Sequence, residues 1–143
     1  MDIYKKILIP TDGSEYTKAA VSHGLKLAKA MGAEVTTMHV LDEAPYYFLS
    51  DGLSIPNLFA QLEAEGKRAV QYVVDEGDKM GVKVNQLIEK GHPADTIVEA
   101  SKDYDLVIMG TLGRSGLSHL MIGSVAEKVA RGAKGTVLVV RGK

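Results

Sequence analysis

A chain of 143 residues with 45% hydrophobic and 24% charged side chains has the balance of one soluble globular domain rather than of a disordered or membrane chain, and leaves no length for two ordinary domains. Seventeen basic residues against eighteen acidic ones give a net charge of -1 without a basic cluster, so the electrostatic footprint of a nucleic-acid binder is missing. The lack of cysteine removes disulfides, thiolate metal sites and cysteine nucleophiles together, and the absence of a membrane-length apolar run and of a signal-peptide pattern predicts a cytoplasmic protein.

In chain order, Ile7-Leu8-Ile9 reads as a first strand that stops at the turn formers Pro10-Thr11-Asp12-Gly13-Ser14. From Glu15 to Met31 the spacing of Ala20, Gly24, Leu27, Ala28 and Met31 draws an apolar helical stripe, which Gly32 stops. Val35 to Leu41 is a second strand, and Asp42 to Pro56 is the longest loop, with two prolines and no steady period. Leu58, Leu62, Ala69, Val73 and Met80 mark a long helix ended by Gly81. Val82 to Ile88 predicts the third strand, Gly91-His92-Pro93 a turn, and Ala94 to Ser101 a short helix with Ile97 and Val98 facing inward. Leu106 to Met109 is almost free of polar side chains, as befits a strand buried on both faces. Ser124 to Ala133 predicts a helix capped by Ser124, with Val125, Ala126, Val129 and Ala130 as its apolar positions, and Gly135 to Val140 is the last strand. Strict alternation of strand and helix requires an α/β fold, a doubly wound five-stranded parallel sheet with helices on both faces, in a single domain over residues 1–143.

In such sheets ligands bind outside the carboxyl ends of the strands, where the winding reverses. Two unusual segments meet that description. One is Gly110-Thr111-Leu112-Gly113, with nine residues separating Gly113 from Gly123-Ser124, between a buried strand and a helix start. Glycine admits a close ligand, and the free N–H groups of a helix start attract an anion, here a nucleotide phosphate. The other is Pro10-Thr11-Asp12 after strand one. Asp12 is placed to accept from ribose hydroxyls or to hold Mg²⁺ on the phosphates, or else serves as an Asx-turn residue. A helix N-terminus contributes only about 0.3 to 2 kcal/mol to an anion, whereas micromolar binding needs roughly 8 kcal/mol. Backbone donors at Gly113, Gly123, Ser124 and Val125 therefore need a buried base as well, and Val40 at the end of strand two is the candidate for adenine contact through its backbone, with plain core the alternative for Val40 and a satisfied strand histidine the ordinary reading of His39. Arg114 and His119 are within reach of phosphate oxygens, or are solvated loop charges.

Neither GxGxxG nor GxxxxGK[ST] occurs. At Gly110, Gly113, Gly123 and Ser124 the chain resembles the universal stress protein family, in the ATP-binding branch with the motif G-x2-G-x9-G-[ST]. The likeness extends to Ile7 through Ser14, to Gly91-His92-Pro93 and to Val137 through Val140. The resemblance implies a Rossmann-type, adenine nucleotide alpha hydrolase-like sheet of order 3-2-1-4-5, a dimer, and a role in stress tolerance. The candidate binding residues for ATP, with Mg²⁺ or Mn²⁺ held through its phosphates, are Pro10, Thr11, Asp12, Val40, Met109, Gly110, Gly113, Arg114, Gly123, Ser124 and Val125, and Asp12 is the candidate metal ligand.

No constellation of base, nucleophile and charge stabiliser is recognisable, and four scattered histidines make no zinc site. Three readings stand: an ATP-binding regulatory or switch protein, a slow ATPase or self-phosphorylating enzyme, and a dimeric interaction protein without nucleotide. Thr136 to Val140 is a flat apolar edge that invites a homodimer, and Pro45-Tyr46-Tyr47-Phe48-Leu49 is either a lid or contact patch for an unknown protein partner, or packs on its own helices.

Overall fold

The computed structural model describes residues 3–42, 55–112 and 122–142. Five strands form one sheet: β1 (Lys6–Pro10), β2 (Glu34–Leu41), β3 (Val84–Lys90), β4 (Leu106–Gly110) and β5 (Thr136–Val140). Every pairing is parallel and the order is β3-β2-β1-β4-β5, as the resemblance implied. Four helices make the crossovers: α1 (Lys18–Met31), α2 (Ile55–Met80), α3 (Pro93–Ala100) and α4 (Ser124–Gly132).

Side-chain alternation along the strands sorts the core into two layers. Ile7 and Ile9 of β1 and Leu106 and Ile108 of β4 pack with Leu25 of α1 and Val73 of α2. Leu8, Val107 and Met109 turn to the other face and pack with Ile97 of α3 and Ala126 and Val129 of α4. All of these side chains are buried, so the sheet is covered on both sides as its nearly continuous apolar strands require.

Several boundaries differ from the periodicity, each for a local reason. Glu15–Thr17 is a separate 3₁₀ turn before α1, because the Thr17 hydroxyl donates to the Ser14 carbonyl at 2.9 Å. The long helix begins at Ile55, inside the expected loop, with Pro56 in its first turn, where a missing N–H costs nothing. β3 starts at Val84 rather than Val82, since the Val82 N–H is already committed to the Gly77 carbonyl at 2.8 Å in the exit from α2. In α4 the N-cap is Gly123 and Ser124 is the first helical residue; Gly123 is extended (φ −77°, ψ 166°) and its carbonyl accepts from Glu127 N–H at 3.0 Å. Ala130, expected on the apolar face of α4, is exposed, which leaves Ala126 and Val129 as the buried anchors. The expected stops at Gly32 and Gly81 hold, both at positive φ (66° and 75°).

The pairing of β1 with β4 is short, covering only Ile7 with Leu106 and Leu8 with Val107. At the amino end these strands are tied: Lys6 and Lys5 N–H donate to Asp105 Oδ2 at 2.9 and 2.8 Å, which holds the Asp105 carboxyl below its ordinary range. At the carboxyl end they part. Thr11 N–H turns to β2, reaching the Met38 carbonyl at 2.8 Å, so by alternation the position of Pro10 faces β4. Proline has no N–H to extend that ladder.

Candidate functional site

The parting of β1 from β4 is the topological switch point, since β1 is followed by a crossover toward β2 on one side and β4 leads to β5 on the other. A cavity of about 360 Å³ opens there. The end of β1 supplies Pro10, Thr11 and Asp12; the end of β2 supplies Met38 through Asp42; and the end of β4 with the residues after it supplies Met109 through Leu112. The start of α4 contributes Gly123, Ser124, Val125 and Ala126. Of the eleven residues expected from the sequence, nine line this one cavity, and Gly113 and Arg114 lie outside the described residues. His119 and the Pro45 to Leu49 segment also lie outside them.

The turn after β1 is pinned by its own polar groups. Gly13 N–H donates to Thr11 Oγ1 at 3.1 Å and Ser14 N–H to Asp12 Oδ1 at 2.9 Å, the second being an Asx turn. Because the Thr17 hydroxyl proton goes to Ser14, the 3.3 Å contact between Thr11 Oγ1 and Thr17 Oγ1 is donated by Thr11. Asp12 thus shapes the turn and lines the cavity at once.

On the opposite wall, Thr111 N–H donates to the Val140 carbonyl at 3.1 Å and Gly123 N–H to the Thr111 carbonyl at 2.5 Å. These bonds carry the chain from β4 to the start of α4, whose first N–H groups have no partner within the helix. Ser124 does not spend its side chain on a cap and is exposed at the cavity rim. Gly110 is buried and closely backed: a Cβ there would lie 2.9 Å from the Tyr16 carbonyl oxygen.

Periodicity alone missed the contribution of α2. At about 1.5 Å per residue its 26 residues span about 39 Å, whereas the eight residues of β2 span only about 26 Å. Near its far end, the position of Gly77 abuts Val82, just before β3, and Val84, its first residue, so the excess length projects beyond the carboxyl edge of the sheet. The overhanging turns place Leu62 and Glu65 in the cavity wall, and Pro93 and Ile97 of α3 close the other side. The length mismatch between helix and strand was the available signal.

The cavity lining includes the apolar Met38, Val40, Ile97 and Met109 and the acidic Asp12, Asp42 and Glu65. Among the described lining residues there is no lysine or arginine. The described residues also hold no group of three or more histidines and carboxylates arranged to bind a metal ion.

A doubly wound parallel sheet with its cavity at this switch point defines the class of protein: an α/β domain of Rossmann type. Within that class, the model of the universal stress protein family matches residues 3–141, and the chain belongs to this family. It is 39% identical over 142 residues to universal stress protein MJ0531 of Methanocaldococcus jannaschii, spanning 98% of this chain and 84% of that protein. Universal stress protein MJ0577 of the same organism is 32% identical over 157 residues, spanning 99% and 97% of the two chains. The solved structure of MJ0577 superimposes with a TM-score of 0.85 at 34% identity and covers 99% of this chain and 98% of that one.

Proposed function

We propose that the chain, as a single universal stress protein domain, binds ATP in the switch-point cavity and acts as a nucleotide-dependent regulatory switch in stress tolerance. The observation that carries this reading is the convergence of three strand ends, remote in sequence, on one cavity lined by nine residues singled out for a nucleotide. The apolar lining residues suit a buried base, with the Val40 backbone as its contact, and the start of α4 suits phosphates. Universal stress proteins that share this fold have been solved in complex with cAMP and with dAMP, at 24% and 20% identity.

Mg²⁺ or Mn²⁺ held through the phosphates belongs to the same reading, with Asp12, a hard oxygen donor on the cavity wall, as its protein ligand. The test is to denature the purified protein, identify any released nucleotide by chromatography and mass, and titrate the stripped chain with ATP. The expected result is ATP in stoichiometric amount, or micromolar rebinding that weakens when the divalent ion is chelated. Absence of both removes the nucleotide reading. Product formed over time in the same samples separates a slow ATPase or self-phosphorylating enzyme from a switch.

Among the described residues no helix is long and apolar enough to cross a membrane. A cytoplasmic location is part of the same proposal. The homodimer belongs to the same proposal. The outer edge of β5 carries four half-buried apolar residues, Val137 to Val140, whereas the opposite edge strand β3 carries Asn85, Gln86, Glu89 and Lys90. Charged and polar side chains protect an edge from pairing, so β5 is the edge fitted to a second copy. Val139→Lys is expected to convert a dimer to a monomer in analytical ultracentrifugation; a variant that keeps the dimer mass rejects this interface.

A further inference from the structure

His39 is the buried histidine of the described chain, 8% exposed, on the face of β2 that α2 covers. Its Nδ1 lies 2.9 Å from the Thr11 carbonyl oxygen. A carbonyl only accepts, so Nδ1 carries the proton and donates, and in the neutral ring Nε2 is left as an acceptor. The location explains the need for a side-chain donor. The register of β1 with β2 ends at Pro10 and Met38, one residue short of Thr11, and the imidazole takes up the Thr11 carbonyl where the ladder no longer does.

The ring is boxed in. On its other side α2 passes so closely that a Cβ on Gly66 would stand 2.8 Å from His39 Cδ2 and 3.4 Å from Nε2. Thr11 is consequently held at both backbone ends from β2, by Met38 through its N–H and by His39 through its carbonyl, and Asp12 follows directly. We propose that His39 is a positioning residue that sets the Thr11-Asp12 turn against the nucleotide by donating its Nδ1–H to the Thr11 carbonyl. This rests on the nucleotide reading above.

The test compares His39→Asn, His39→Gln and His39→Leu with the unaltered chain in ATP titrations with Mg²⁺, alongside circular dichroism and thermal melting. The asparagine Nδ2 sits as many bonds from Cα as the histidine Nδ1 and keeps the donor; the glutamine amide lies one bond further out, and leucine has none. Expected are binding within about threefold of the unaltered chain for His39→Asn and a loss of about tenfold or more for His39→Gln and His39→Leu, as follows when a buried carbonyl loses its partner. A general packing role would not restore affinity in asparagine alone. Wild-type affinity in His39→Leu, or equal losses in His39→Asn and His39→Gln, overturns the proposal; should the leucine variant not fold, the asparagine and glutamine pair still decides it. Nitrogen-15 spectra of the imidazole in the unliganded chain give an independent readout, and an Nε2–H tautomer also overturns it. If the unaltered chain binds no ATP, the nucleotide reading itself fails, whereas a binding chain with an indifferent His39→Leu removes only the positioning role.

Discussion

Gly123→Val is expected to weaken ATP binding at least 100-fold, about 2.7 kcal/mol, while leaving helix content unchanged and the melting temperature within about 4 °C of the parent. The backbone at Gly123 is extended, a conformation open to any residue, and both of its backbone bonds, to Thr111 and from Glu127, survive the substitution. As an N-cap, valine costs about 1 kcal/mol at most relative to glycine. What glycine supplies at this position is therefore space, on the cavity wall beside the donors of Ser124 and Val125. Branched methyl groups would stand between those N–H groups and a phosphate. Calorimetric titration and thermal melting of the same samples check both halves; retained affinity would remove the start of α4 as the anion site.

Gly110→Val has a different expected signature, although both glycines belong to one motif. The Cβ would meet backbone atoms, the Tyr16 carbonyl at 2.9 Å and the Leu112 carbonyl at 3.5 Å, with Thr17 Cα at 3.7 Å. No rotamer change relieves contacts of that kind, so the 3₁₀ turn must shift. Overpacking of this sort costs about 1–3 kcal/mol, or roughly 3–10 °C in melting temperature for a chain of this size. Thr17 is hydrogen-bonded to Thr11, so the displacement reaches the Asp12 turn and ATP affinity falls as well. Gly110→Val thus lowers stability and affinity together, where Gly123→Val lowers affinity alone. A Gly110→Val protein that melts like its parent would show that the Tyr16 carbonyl does not confine this position.

Much of the architecture was legible because it rests on local periodicity. Leu106 to Met109 reads as a strand covered on both faces, and β4 is buried throughout. Strand order is a relation between remote segments, and it came from the family resemblance rather than from spacing. The cavity residues at strand ends were legible because turn chemistry marks where a strand stops, as Pro10 to Gly13 does. Those on the flanks of helices were not. Leu62 lies on an apolar stripe that predicts burial without saying where, and Glu65 looks like any solvated helix carboxylate until the helix is measured against the sheet. Ser124 was misplaced as the N-cap because serine is the better cap in isolation, whereas the bond from Gly123 N–H to Thr111 fixes the helix entry one residue earlier. The partnership of His39 with Thr11 spans 28 residues and depends on where a ladder ends, which no local pattern records.

Strands β1 and β4 resemble the jaws of a clothes peg, clasped by Asp105 at one end and left unlatched at Pro10 at the other. Because Pro10 has no N–H to donate toward β4, the opening is not closed by a ladder bond from that residue. Occupancy of the cavity then need not break any hydrogen bond between these two strands, so an arriving molecule finds its berth already excavated.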